Sequence, residues 1–176
     1  MFKKLYSKVN TAVAWNIAFD MAQGEYALFL KSGDRFLVNA LTALYLAHGN
    51  QNSDIVSSFS WLEENKDGKI AFGDKKCSAQ RDARFKDEKR TVLMNKDGRD
   101  AARLLFNRQI NPFLGTKIYN REFLKDNEIK FAEHLEEEET TFFFQMETFF
   151  KSKHFMYVSD ALYVAPSDKI AQQEMG

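Results

Sequence analysis

The first sixty residues alternate helical and extended patterns at short spacing, and this rhythm leaves the chain few architectures. In "NTAVAWNIAFDMAQGEY", Val13, Ile17 and Met21 recur at i, i+4 and i+8 with Ala14 and Ala18 alongside, which predicts an amphipathic helix. Asn10 or Thr11 can cap its start, and Gly24 suits the left-handed position just past its end. The apolar run from Tyr26 to Leu30 predicts a short buried strand that stops abruptly at Lys31, Ser32, Gly33 and Asp34. "NALTALYLAH" predicts a second helix, with Leu41, Leu44, Tyr45 and His48 on one stripe and Gly49 as its stop. "DIVSSFSWL" then reads as a β-rich run. Helix, strand, helix, strand in so few residues is the pattern of an α/β domain, a mostly parallel sheet covered by helices.

The middle changes character. From Glu63 to Arg108 charges of both signs crowd together, as in "RDARFKDEKR", and the stretch reads as a solvated excursion from the sheet. Within it, "NKDGKIAFG" predicts a hairpin turning at Asp67-Gly68, and "GRDAARLLFN" predicts a helix. The last third is denser. "TKIYNREFLKDNEIKF" predicts a short strand, a turn and a short helix. "EEETTFFFQMETFFKSK" predicts a longer helix, its acids at the positive end of the helix dipole and Lys151 and Lys153 near the negative end. Phe142, Met146, Phe149 and Phe150 are its expected buried stripe, and "HFMYVSDALYVAP" adds one or two strands ending at Pro166.

At 176 residues the chain is long enough for one domain with a substantial core, and seventeen phenylalanines supply material for it. No repeat, low-complexity tract or linker divides it. The 25 basic and 25 acidic side chains cancel, so no global field attracts nucleic acid or an anionic membrane. The single cysteine, Cys77, excludes an internal disulfide framework and fits a reducing compartment; no histidine pattern nearby marks it as a nucleophile. The start "MFKKLYSKVN" lacks the apolar stretch of a secretory signal, and no apolar run approaches the ~20 residues of a spanning helix. The chain reads as soluble and cytoplasmic.

Four stretches, taken in order, resemble the family 2 glycosyltransferases of GT-A fold. "AWNIAFDMAQGEYALFLKSGD" is similar to the segment that usually reads A-R-N-x-G…A-x-G-E-Y-x-x-F-L-D-x-D-D. "GTKIYNREFLKDNEIKF" is similar to the acceptor-side G-K-x-Y-x-R-x-F-L segment, "FAEHLEEEETTFF" to F-x-E-x-x-x-x-E-D-x-x-F, and "DALYVAPSD" to the strand and loop after it. The match runs from about Ala12 to Asp168. It implies a partial GT-A, Rossmann-like sheet without the first nucleotide-binding strands, since the P-x-Y-N and D-D-G-S strands have no counterpart. On this reading, 1–60 is the remnant of the donor-side half, 61–108 the charged excursion and 109–176 the acceptor-side half of a single domain. A sheet so shortened should expose an edge and an apolar face, so a homo-oligomer or a covering partner subunit is expected.

The resemblance also implies a chemistry: transfer of a sugar from a nucleotide-diphosphate sugar to the hydroxyl of a glycan acceptor, in bacterial-type glycan synthesis. The family holds Mg²⁺ or Mn²⁺ at its acidic motif to neutralise the diphosphate, and uses a carboxylate at the front of a later helix as base. Here the motif is degenerate. Lys31 stands at the leading aspartate, Gly33 at the next acidic position, and only Asp34 is left as a metal ligand. One carboxylate beside an ammonium is a poor site for a hard divalent cation. Asp34 is then a remnant ligand near the donor phosphate or a turn residue. Lys31 either pairs directly with a diphosphate or is a solvent-facing lysine. Trp15 replaces the arginine of A-R-N, as a sugar platform or a core aromatic, and Val164-Ala165-Pro166-Ser167 replaces a polar phosphate-binding loop.

Glu138 and Glu139 align with the E-D pair, and Glu139 falls at the base position; both equally fit the acidic first turn of a helix. Lys117, Tyr119 and His134 fall on the acceptor side, while His48 and His154 have no companions at metal-ligand spacing. Two functions follow. One is an active glycosyltransferase. The other is a catalytically degenerate binding or scaffold module, acting with a partner or as an oligomer, and the joint weakening of donor grip, metal ligands and phosphate contacts favours it.

Overall fold

The computed structural model describes residues 9–48, 53–58, 61–65, 67–72, 98–107, 111–158 and 162–166. Helix α1 spans Thr11–Met21, and Asn10 caps it, its Oδ1 accepting from the Val13 amide at 2.8 Å. Its end departs from expectation: Ala22 closes it in an extended conformation, and Gly24 is not left-handed. Its buried residues are Ala12, Asn16 and Phe19, shifted toward the N-terminus by one or two positions from the expected Val13–Ile17–Met21 stripe. The cause is Asn16, whose Nδ2 donates to the Phe131 carbonyl at 2.9 Å while its Oδ1 accepts from the Phe131 amide at 3.0 Å. A side chain so satisfied can face inward without loss.

The strands are β1 (Tyr26–Ala27), β2 (Arg35–Phe36), β3 (Ile55–Ser58), β4 (Leu62–Glu64), β5 (Ile70–Phe72), β6 (Lys117–Asn120), β7 (Phe155–Val158) and β8 (Tyr163–Pro166). The other helices are α2 (Ala40–His48), α3 (Gly98–Phe106), α4 (Arg121–Asp126) and α5 (Glu137–Lys151). Two sheets result, ordered β1-β6-β3-β7 and β2-β8-β4-β5. Pairing is parallel for β3–β7 and β4–β8 and antiparallel for the other four pairs, so the sheets are mixed rather than mostly parallel. The connections explain this in part. β3 reaches β7 through a long crossover that includes α5, whereas β4 and β5 are joined by the expected hairpin, with Gly68 at φ 76°.

In the first sheet, alternate residues reach opposite faces. Ile55, Tyr119 and Phe155 enter the core formed with α1, α3 and α5, and Val56, Ile118 and Met156 enter the core under α2. Helices therefore cover both faces, and the α/β expectation holds. The expected strand from Tyr26 to Leu30 ladders only at Tyr26–Ala27, antiparallel to β6 at the end of the sheet. Leu28 to Leu30 are held by packing instead, through the Phe29 ring. Its centroid lies 4.9 Å from Phe131, 5.5 Å from Phe144 and 5.9 Å from Tyr119. Burying such a ring contributes about 1.5–3 kcal/mol.

Two more helical stripes differ from expectation. In α2 the buried residues are Ala40, Leu44 and Ala47, while Leu41 and Tyr45 are exposed; the small alanines allow close approach to the sheet. In α5, Thr140, Phe144, Gln145, Thr148 and Phe149 are buried, and Phe142 and Phe150 are exposed. Thr148 faces inward because its hydroxyl donates to the Phe144 carbonyl at 2.6 Å. No helix among the described residues is long and apolar enough to cross a membrane. Cys77, the "RDARFKDEKR" stretch, Ser167 and Asp168 lie outside the described residues, as does the side chain of His48.

Candidate functional site

The stretch that follows Leu30 folds into a tight turn. The Asp34 amide donates to the Lys31 carbonyl at 3.1 Å, and Gly33 has φ 89° at the third position, where a type II turn needs a residue free to adopt positive φ. The Asp34 side chain closes the turn again, its Oδ2 accepting from the Lys31 amide at 3.1 Å. The Tyr163 hydroxyl also hydrogen-bonds Asp34. Burial first, then that bond and the carboxylate charge, hold the Tyr163 phenol far above its ordinary range.

Opposite the turn stands the front of α5. Lys31 Nζ lies 2.5 Å from Glu137 Oε1 and 6.0 Å from the centre of the Trp15 ring. The Thr11 hydroxyl donates to Glu137 Oε2 at 2.6 Å. Glu137 thus joins the turn, α1 and α5 at one point. Trp15 itself is half-buried, packed 4.7 Å from Phe131.

The third wall is the loop from Asn111 to Thr116, and Lys117 organises it. Lys117 is fully buried, and its ammonium donates to the Asn111 carbonyl at 2.9 Å, the Phe113 carbonyl at 2.8 Å and the Thr116 hydroxyl at 3.1 Å. Asn111 in turn donates to the Ser58 carbonyl at 2.9 Å, tying the loop to β3.

These walls enclose a cleft of about 140 Å³, lined by Lys31 and Asp34 from the turn, Glu137, Glu138 and Thr141 from α5, and Pro112 to Gly115 with Phe29 and Tyr163. Three carboxylates meet one ammonium among these lining residues. Of the residues singled out from sequence, the structure brings Lys31, Asp34 and Glu138 together. Glu139 is exposed and does not line the cleft, because each step along a helix turns the side chain by about 100°. Lys117 lies behind the wall. Tyr119 is fully buried in the core; burial holds its phenol well above the ordinary range, and its hydroxyl has no hydrogen-bond partner among the described residues. His134 is exposed in the loop before α5. His154 is also exposed, its amide donating to Asp54 Oδ2 at 3.0 Å.

Sequence reasoning missed Glu137, Thr141 and Tyr163. Glu137 was visible only as one member of an acidic run, and Tyr163 only as a strand residue far along the chain. Among the described residues no group of three His, Cys, Asp or Glu side chains is placed to hold a metal ion. With Asp34 Oδ2 engaged in the turn and Glu137 paired with the Lys31 ammonium, the cleft does not fit a hard divalent cation.

No protein-family model and no curated protein matches the chain. Solved structures do. Residues 1–349 of S. aureus TarS in complex with UDP superpose with a TM-score of 0.64 and 23% identity, over 89% of this chain and 40% of that one. The complex with UDP-GlcNAc gives 0.65 and 23% over 93% and 41%, and a further structure of residues 1–349 gives 0.63 and 23% over 93% and 42%. The chain therefore spans about two fifths of these chains. TarS is a glycosyltransferase, and the fold of the present chain is glycosyltransferase-like.

Proposed function

We propose that the chain serves sugar transfer from a nucleotide-diphosphate sugar to an acceptor hydroxyl, as a family 2 glycosyltransferase with a degenerate acidic motif. The observation that carries this reading is the convergence of Lys31, Asp34 and Glu138 on one cleft of a glycosyltransferase-like fold. TarS was solved with UDP and with UDP-GlcNAc, so a UDP-sugar is the donor to test first. The setting is cytoplasmic synthesis of a bacterial-type glycan.

In this reading the acceptor oxygen attacks the anomeric carbon, the bond from that carbon to the diphosphate oxygen breaks, and the diphosphate leaves with the electron pair. Glu138, at the cleft and exposed, takes the hydroxyl proton. Lys31 exchanges Glu137 for the diphosphate and offsets the charge that develops there. No step runs through a metal ion, which the cleft does not fit.

A second reading rests on the charge of the same cleft. Three carboxylates around one ammonium repel a diphosphate, whereas carboxylates readily accept hydrogen bonds from neutral sugar hydroxyls. A binding module for glycans without transfer chemistry fits that balance. Melting temperature separates the two, because a ligand that binds only the folded chain must raise it. A shift with millimolar UDP-GlcNAc, followed by release of UDP on adding acceptor, supports transfer. A shift with neutral oligosaccharides alone supports the binding module, and no shift with either removes the cleft from both.

A further inference from the structure

Lys31 is the one cation among the described residues that line the cleft, and it is already taken. Its ammonium sits 2.5 Å from Glu137 Oε1, in a pair that is neither buried nor fully exposed. Glu137 is itself held in that position, because the Thr11 hydroxyl on α1 donates to its other oxygen at 2.6 Å. The Trp15 ring, centred 6.0 Å from Lys31 Nζ, attracts the ammonium to the same place. An anion entering the cleft therefore does not meet a waiting charge. It has to displace a carboxylate that the chain supplies and that lines the same cleft.

We propose that Glu137 is a built-in competitor, an autoinhibitory latch on Lys31 that sets how tightly the cleft takes a phosphate-bearing ligand. The inference rests on the reading of Lys31 as the diphosphate contact. In the closed state Lys31, Glu137 and Thr11 tie the turn, α5 and α1 together, and the ammonium is engaged. In the open state Glu137 gives up Lys31 and phosphate oxygens take its place. Both contacts are charge-assisted and of one kind, so binding gains only the difference between them. A partly exposed ion pair is weak partly because two long side chains must be ordered to form it. Thr11 reduces that cost by fixing the carboxylate beforehand, which makes this pair a stronger competitor than a surface pair with two loose ends. A neutral sugar has no such exchange to make and binds with the latch closed. Glu137 thus disfavours anionic ligands relative to uncharged ones, the repulsive element that specificity requires.

Isothermal titration calorimetry of the full chain with UDP tests this through a double-mutant cycle. Glu137→Gln removes the competitor and should tighten UDP binding about 2- to 5-fold, the range of a partly exposed ion pair. In a Lys31→Met background, where no ammonium is left to release, the same substitution should lose most of that effect. Circular dichroism checks that the variants fold. UDP binding by Glu137→Gln where the parent shows none also supports the latch. Unchanged or weaker binding in Glu137→Gln, with the parent binding UDP, overturns the latch and leaves the diphosphate reading standing. An equal gain in both backgrounds also overturns it, since Glu137 would then act by plain repulsion. Absence of UDP binding in the parent and in Glu137→Gln alike overturns the diphosphate reading and the latch with it.

Discussion

The Tyr163 ring presses on Gly115 so closely that a Cβ built there falls 2.5 Å from Tyr163 Cε2 and 2.9 Å from Leu30 Cδ2. Gly115 is needed for space, not for an unusual φ. Tyr163 has little room to retreat, with the Phe113 ring 5.6 Å and the Phe36 ring 6.2 Å from its own. Gly115→Ala should therefore cost about 1–3 kcal/mol, the usual range for overpacking. Urea midpoints measure it. A variant as stable as the parent would show that the wall yields freely.

Lys117 makes a comparable demand from the other side of the loop. Lys117→Met keeps most of the stem and removes the ammonium, leaving the Asn111 and Phe113 carbonyls without that donor. The Phe113 carbonyl keeps the Thr116 hydroxyl as a donor at 2.7 Å, so the loss is that of the bonds to the charged group, about 1.5–3 kcal/mol. Lys117→Arg should not rescue it, since a planar guanidinium does not fit a site shaped for a compact ammonium. A loss below about 1 kcal/mol in urea titration would contradict the structural role, on the same scale.

The sequence made the α/β rhythm, the Asp67-Gly68 hairpin and the polar turn at Lys31–Asp34 legible, because each is written in neighbouring residues. The buried helix faces were not. Asn16 and Gln145 point inward because Phe131 and Pro112 offer backbone partners 115 and 33 positions away, and hydrophobic spacing carries no trace of such bonds. The acidic run shows the same limit. It marks the front of α5, but which glutamate meets the cleft depends on where the helix begins, and one residue of error exchanges Glu138 for Glu139.

Tyr26 predicts how the fold responds to alkali. Its hydroxyl donates to the Ser53 carbonyl at 2.9 Å, and burial is the main cause that pushes its pKa up to about 12. The unfolded phenol titrates near 10. The folded chain therefore holds this proton more tightly, and the associated stability is complete below about pH 10 and disappears as pH rises toward 12. Urea midpoints should fall across that window, and less steeply in Tyr26→Phe. Equal slopes in parent and variant would rule Tyr26 out as a contributor.

Glu138 and Glu139 separate the transfer reading from a merely acidic helix front. Only Glu138 lines the cleft, so Glu138→Gln should lower turnover of UDP-GlcNAc by about 10²–10⁴, the range for losing a general base. It should leave the thermal shift with UDP-GlcNAc in place, since the donor is held from the Lys31 side. Glu139→Gln should change turnover little. The reverse result would mean that α5 turns by about one residue when substrate binds, because the two carboxylates differ by a single helical step. Equal turnover in both variants would remove the acidic front from proton transfer and leave Lys31 and Asp34 with a binding role alone.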